Sequence, residues 1–140
     1  MKVSFDFDNT LSREAVQKFA KELMQKRYEV HIVTSRFEDP MCYTDPRIQE
    51  TGHRDMFRVC FYLGIPKERI HFTNMIDKAG FFENNPDFLF HLDDDEREIF
   101  GINTYTTVKG ILCDKGILWK KEIEKGFIIE ESQTRNPEPI

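Results

Sequence analysis

The chain of 140 residues carries 20 basic and 25 acidic side chains, a net charge of −5, with 39% apolar and 32% charged residues. That length fits one domain able to bury a sheet under helices on both faces, and 13 Phe argue for a packed core rather than disorder. The acidic balance disfavours a general nucleic-acid binder; no apolar run nears the roughly twenty residues a bilayer span needs, and Met1-Lys2-Val3-Ser4 lacks a signal-peptide core.

Residues Lys2 to Phe7 alternate polar and apolar, which predicts a strand with Val3, Phe5 and Phe7 on one side, ending in the turn formers Asp8-Asn9. From Ser12 to Lys26 the apolar residues recur at helical spacing, with Ser12 as the expected cap. Tyr28 to Val33 reads as a second strand, completing a βαβ unit with parallel strands. Phe37 to His53 holds two prolines and a glycine without any period, and is expected to be a long loop. Met56, Phe57, Val59, Cys60 and Leu63 form the apolar face of a second helix that stops at Gly64. Arg69 to Thr73 is a third strand and Lys78 to Phe82 a short helix. Asp87 to Leu92 is a fourth strand closing in Asp93-Asp94-Asp95. A helical turn over Glu96 to Phe100, a fifth strand from Tyr105 to Leu112 and a helix over Ile117 to Lys125 complete the series. The alternation implies an α/β fold, a Rossmann-like three-layer sandwich on a mainly parallel sheet. A single catalytic domain over 1–129 and a polar tail over 130–140 are expected.

The three cysteines, Cys42, Cys60 and Cys113, are odd in number and widely spaced. They suit neither a disulfide framework nor a structural zinc site, and point to a reducing cytoplasm.

Ligands of such sheets bind beyond the carboxyl ends of the strands. There stand Asp6, Asp8 and Thr10 after strand one, Thr34, Ser35 and Arg36 after strand two, Thr73 and Asn74 after strand three, and Asp93, Asp94 and Asp95 after strand four. Lys78 opens the next helix. Carboxylates brought to one edge repel each other unless a cation sits among them, and oxygen-only ligands suit magnesium or calcium. With a lysine and hydroxyls beside them, they make a cradle for a phosphoryl group.

The run FDFDNTL resembles the first motif, DxDxT, of the haloacid dehalogenase-like phosphatases. VTSR is similar to their second motif, Lys78 to the third and HLDDD to the fourth, all in order over about two thirds of the chain. The resemblance implies Asp6 as nucleophile and magnesium ligand, and Asp8 as general acid/base with its backbone carbonyl on the metal. Thr10 would support that loop beside the phosphate, and Thr34, Ser35 and Arg36 would bind phosphate and substrate. Lys78 would neutralise charge, with Asp93 and Asp94 as further metal ligands; Asp95 is the alternative to Asp94. An aspartate at position 8 is what the phosphatase branch has and the carbon–halogen branch lacks. Asn9 and Leu92 stand where many members have glycine. Asn tolerates positive φ, so the loop is expected to form.

Only one helix and one strand fit between Thr10 and Thr34, and little more between Ser35 and Lys78, so the resemblance is to a capless or minimally capped member. The Phe37–His53 loop is the one segment available as a lid. Arg36 is the leading candidate for gripping a substrate carboxylate or second phosphate, ahead of Arg47 and Tyr43. His31, His71 and His91 are expected as hydrogen-bonded structural residues, with His53 nearer to substrate. The expected function is a magnesium-dependent phosphomonoesterase acting through an aspartyl-phosphate on a small metabolite or nucleotide. A nucleic-acid end, 3′ or 5′, is the less favoured substrate, and a non-enzymatic binding module the least favoured reading.

Overall fold

The first strand, β1 (Lys2–Phe5), is buried from Val3 onward on both faces, Ser4 included, as befits a central position. It lies in a computed structural model that describes residues 1–128; the expected tail falls outside the described residues. The other strands are β2 (Glu29–Thr34), β3 (Ile70–Phe72), β4 (Phe88–Asp93) and β5 (Lys109–Leu112). They join in the order β3-β2-β1-β4-β5, with every pairing parallel.

The helices are α1 (Glu14–Gln25), α2 (Pro46–Thr51), α3 (Arg54–Leu63), α4 (Lys78–Asn84), α5 (Glu96–Tyr105) and α6 (Leu118–Ile123). In α1, Val16, Phe19, Ala20 and Leu23 are buried, an i, i+3, i+4, i+7 stripe. These residues share one apolar cluster with Met56 and Cys60 of α3 and Trp119 and Ile123 of α6. Phe82 of α4 and Ile102 of α5 belong to a second cluster with Val33, Phe88 and Val108. Adjacent residues of β2 divide between them, Ile32 in the first and Val33 in the second. Neighbours on a strand point to opposite faces, so the two clusters are the two sides of the sheet and the fold has three layers.

Strand β4 carries one extra residue against β1, since Lys2 pairs with Phe88 but Ser4 with His91. The bulge reverses parity: Phe88 lies in the second cluster while Phe90 and Leu92 lie in the first.

Several expectations need correcting. The segment 37–53 is not a bare loop: it holds a 3₁₀ turn at Pro40–Cys42 and helix α2. Its prolines read as breakers, but each occupies the first helical position behind an aspartate cap, Asp39 or Asp45, where proline is favoured. Ser12 does not cap α1; its hydroxyl accepts the Asn9 N–H at 3.1 Å. Strand β1 stops at Phe5 rather than Phe7, and Phe57 lies off the buried stripe of α3 and is exposed. Helix α5 runs to Tyr105, well past Phe100, and β5 begins only at Lys109. The β-branched pair after Tyr105 is a turn: Thr106 Oγ1 donates to the Ile102 carbonyl at 2.8 Å and accepts the Val108 N–H at 3.1 Å. Beside it, Asn103 bonds both the N–H and the carbonyl of Gly110, where an added Cβ would stand 3.3 Å from the Ile99 carbonyl.

The thiols of Cys60 and Cys113 are pushed up to about 11 by burial, which leaves them protonated and unreactive at neutral pH. Among the described residues no helix is long and apolar enough to cross a membrane.

The face that carries the second cluster also holds a row of paired polar groups. His31 Nε2–H donates to Glu29, and the rings of His31 and His71 stack with 2.9 Å between Nδ1 and Nε2. Burial drives His71 down to about 4, so it is neutral in the folded protein but protonates near 6.5 when unfolded. The unfolded chain then binds the extra proton, and stability falls as pH drops from 6.5 towards 4. For this half-buried ring the loss is on the order of 1 kcal/mol after solvent screening. Urea unfolding at pH 7 and pH 5 should show it, and His71→Asn should flatten that part of the profile.

Candidate active site

The backbone after β1 is what brings the first carboxylates to the sheet edge. The Asp6 N–H donates to the Leu92 carbonyl at 2.8 Å, continuing the β1–β4 pairing one residue beyond the strand. The chain then turns sharply over Phe7–Leu11. Asp8 is extended, Asn9 takes φ +59°, and the Leu11 N–H closes the turn on the Asp6 carbonyl at 3.0 Å. Asparagine enters this left-handed region more easily than other side chains, so the expectation for Asn9 holds.

Asp6 is buried, and its Oδ2 accepts the Thr10 hydroxyl at 3.3 Å. Lys78, at the start of α4, is 1% exposed; its Nζ donates to Asp6 Oδ1 at 2.8 Å and Asp93 Oδ2 at 2.6 Å. Oxygens of Asp6, Asp93 and Asp94 all lie within 4.8 Å of one another. Opposed ligands around magnesium stand about 4.2 Å apart and around calcium about 4.8 Å, so these three carboxylates are close enough together to hold one hard divalent cation. Asp95 is set apart from it: its carboxylate accepts the Arg97 N–H and caps α5. Between the two alternatives, Asp94 is the acid that joins the cluster. Asp6, Asp8, Ser35, Lys78, Asp93 and Asp94 are among the residues lining one cavity of about 510 Å³, and Asp95 reaches its wall as well.

Burial raises Asp6 well above the usual carboxylate range, opposed by the Lys78 charge and assisted by Asp93. Asp93 is also buried, yet hydrogen bonds from His91 and Lys78, with the Lys78 charge, pull it down to about 2. Lys78 moves up, because the two carboxylates outweigh its desolvation. The ammonium therefore belongs more to Asp93 than to Asp6.

His91, expected as a hydrogen-bonded structural residue, is bonded at both ring nitrogens: Nε2 stands 2.8 Å from Asp93 Oδ2, and Nδ1 2.8 Å from the Ser4 hydroxyl. Burial keeps the ring neutral, and a carboxylate needs a donor opposite it. The consistent arrangement is Nε2–H donating to Asp93 and Ser4 Oγ–H donating to Nδ1. A chain of this kind fixes the orientation of the Asp93 carboxylate. Its sequence signal was the spacing in HLD, which a bare strand pattern hides.

Arg36 is not free to grip a substrate as expected. Its Nε and Nη2 bond both oxygens of Asp8 at 2.9 and 2.7 Å, while Nη1 and Nη2 bond both oxygens of Asp55 at 3.0 and 2.8 Å. The guanidinium also lies 5.1 Å from the centre of the Phe7 ring. Asp55, missed in the sequence, is held below the usual range chiefly by its hydrogen bond from Arg36. The Thr34 side chain is fully buried and accepts the Arg36 N–H, so Ser35 rather than Thr34 lines the cavity. Arg47 is exposed and paired with Asp45. His53 is buried, bonded through Nε2 to the Glu38 carbonyl and through Nδ1 to Arg36 Nη1 at 3.4 Å, and does not line the carboxylate cavity. Tyr43 lines a neighbouring cavity.

No family model matches this chain, and no curated protein matches it.

Lys78→Met leaves two buried carboxylates without a counter-charge and should cost about 3 kcal/mol in urea unfolding with chelator present. Asp6→Asn, which relieves that crowding, should cost less than about 1 kcal/mol in the same measurement.

Proposed function

We propose that the chain is a phosphomonoesterase of the haloacid dehalogenase-like type, dependent on a divalent cation such as magnesium. The observation that carries the reading is Lys78 Nζ bonded to Asp6 and Asp93 at once, with Asp94 completing an oxygen-only donor set on the same edge. A structural ion pair needs one carboxylate; two on one amine with a third carboxylate beside them suit a site that takes a phosphoryl group together with its cation.

Asp6, Asp93 and Asp94 would hold the cation, with the Asp8 carbonyl as the further ligand that the resemblance implies. When bound, the cation screens charge on the phosphoryl oxygens and lowers the barrier to an anionic nucleophile. Asp6 Oδ attacks phosphorus as the bond to the leaving oxygen breaks, giving an aspartyl-phosphate; Thr10 and Lys78 keep its carboxylate in place. Asp8 gives a proton to the leaving oxygen, then takes one from the water that hydrolyses the intermediate. For this the Asp8 carboxylate must leave at least one of its two bonds to Arg36. Asp55 makes that turn cheaper, because the guanidinium keeps a bidentate partner while Asp8 moves. Ser35, in the cavity wall, is available to a phosphoryl oxygen.

Hydrolysis of 4-nitrophenyl phosphate should require added magnesium and stop with a chelator. Asp6→Asn should lower kcat by roughly 10³-fold or more while the variant remains folded. A variant with near wild-type rate would remove Asp6 as the nucleophile.

A further inference from the structure

A second cavity, of about 610 Å³, adjoins the carboxylate site and shares Asp8 and Ser35 with it. Tyr43, Ile48 and Met75 give its wall apolar surface. Arg54 and Arg58, one turn apart on α3, bring two guanidinium groups to the same wall. Unlike Arg36, neither has an ion-pair partner among the described residues. The carboxylates in this wall, Asp8 and Asp55, are both taken up by Arg36. Positive charge is therefore left over on the side away from the catalytic carboxylates.

The wall is also held in place. Asn74 and Met75 are consecutive non-glycine residues at φ +54° and +65°, a conformation that costs energy and persists only where its surroundings enforce it. Here Thr73, Asn74 and Met75 donate their N–H groups to the carbonyls of Thr34, Arg36 and Ser35 at 2.8, 3.2 and 2.7 Å. The turn thus fixes Met75 against the segment that carries Ser35 and Arg36.

We propose that this cavity receives the leaving group and that Arg54 and Arg58 bind a second anion on it, which makes the substrates small phosphomonoesters with two anionic ends and a short, partly apolar body. The inference rests on the phosphatase reading, in which the leaving oxygen faces Asp8, the acid common to both cavities. From there a leaving group that extends past Asp8 enters the second cavity, towards the arginines. Apolar side walls with a few convergent charged groups suit a compact ligand, and charge-assisted bonds from guanidinium to phosphate or carboxylate supply the discrimination.

The test uses the full chain as Asp6→Asn, which binds without turnover, and isothermal calorimetry with two matched probes, pentane-1,5-diol bisphosphate and pentyl phosphate. The bisphosphate should bind at least tenfold more tightly, and that preference should fall below threefold in Asp6→Asn/Arg54→Gln/Arg58→Gln. Equal affinities, a preference that survives loss of both arginines, or no binding of the bisphosphate would each overturn the subsite. Affinity rising a further tenfold for a 5′-phosphorylated tetranucleotide, with a steep salt dependence, would overturn the assignment to small substrates. Failure of the wild-type chain to hydrolyse pentyl phosphate with magnesium strikes the phosphatase reading alone, since the binding comparison needs no turnover.

Discussion

A buried ammonium shared by two buried carboxylates is the constraint around which the sheet edge is built. Lys78, Asp6 and Asp93 come from three different elements, and each is almost fully removed from water. Removing charges from water costs several kcal/mol apiece, and only short, well-directed contacts return it. The elements that carry them therefore have to meet within tenths of an ångström. Backbone bonds supply that accuracy at the strand ends, with Asp6 N–H on the Leu92 carbonyl and Cys113 N–H on the Asp93 carbonyl. One carboxylate more than the amine can neutralise remains; burial raises Asp6, and the neighbouring Asp93 charge adds to that rise.

The sheet and most of its helices were legible because burial and periodicity coincide. The β1-α1-β2 unit, α3 with its stop at Gly64, and the strand ends that bear Asp6, Thr34 and Asp93 all follow from local pattern. What sequence alone hid was of two kinds. Proline at the first turn of a helix looks like proline that breaks one, so the segment of α2 reads as loop. A histidine inside a strand looks the same whether it fills space or, like His91, holds a buried carboxylate. Asp94 and Asp95 were also indistinguishable in sequence, since both acids follow the same strand and only the cap on α5 separates their positions.

Arg36 illustrates a further limit. Its position after Thr34-Ser35 suggested an open hand for substrate, yet two carboxylates from distant parts of the chain occupy it. Pairing over long sequence separation leaves no local trace. The exchange is informative, because the arginine that is satisfied controls Asp8, while the unsatisfied pair sits one turn apart on α3.

The extra residue in β4 reaches further than its own strand. It puts Phe88 and His91 on the same side of the sheet, although they are three positions apart. Both rings then meet Phe82, with centroids 5.5 and 5.0 Å away. Phe82 lies one helical turn beyond Lys78, so the irregularity acts as a gauge that sets how deep α4 seats and hence where the amine arrives. A chain trimmed by a single residue at that point would keep its strands and mis-seat its lysine.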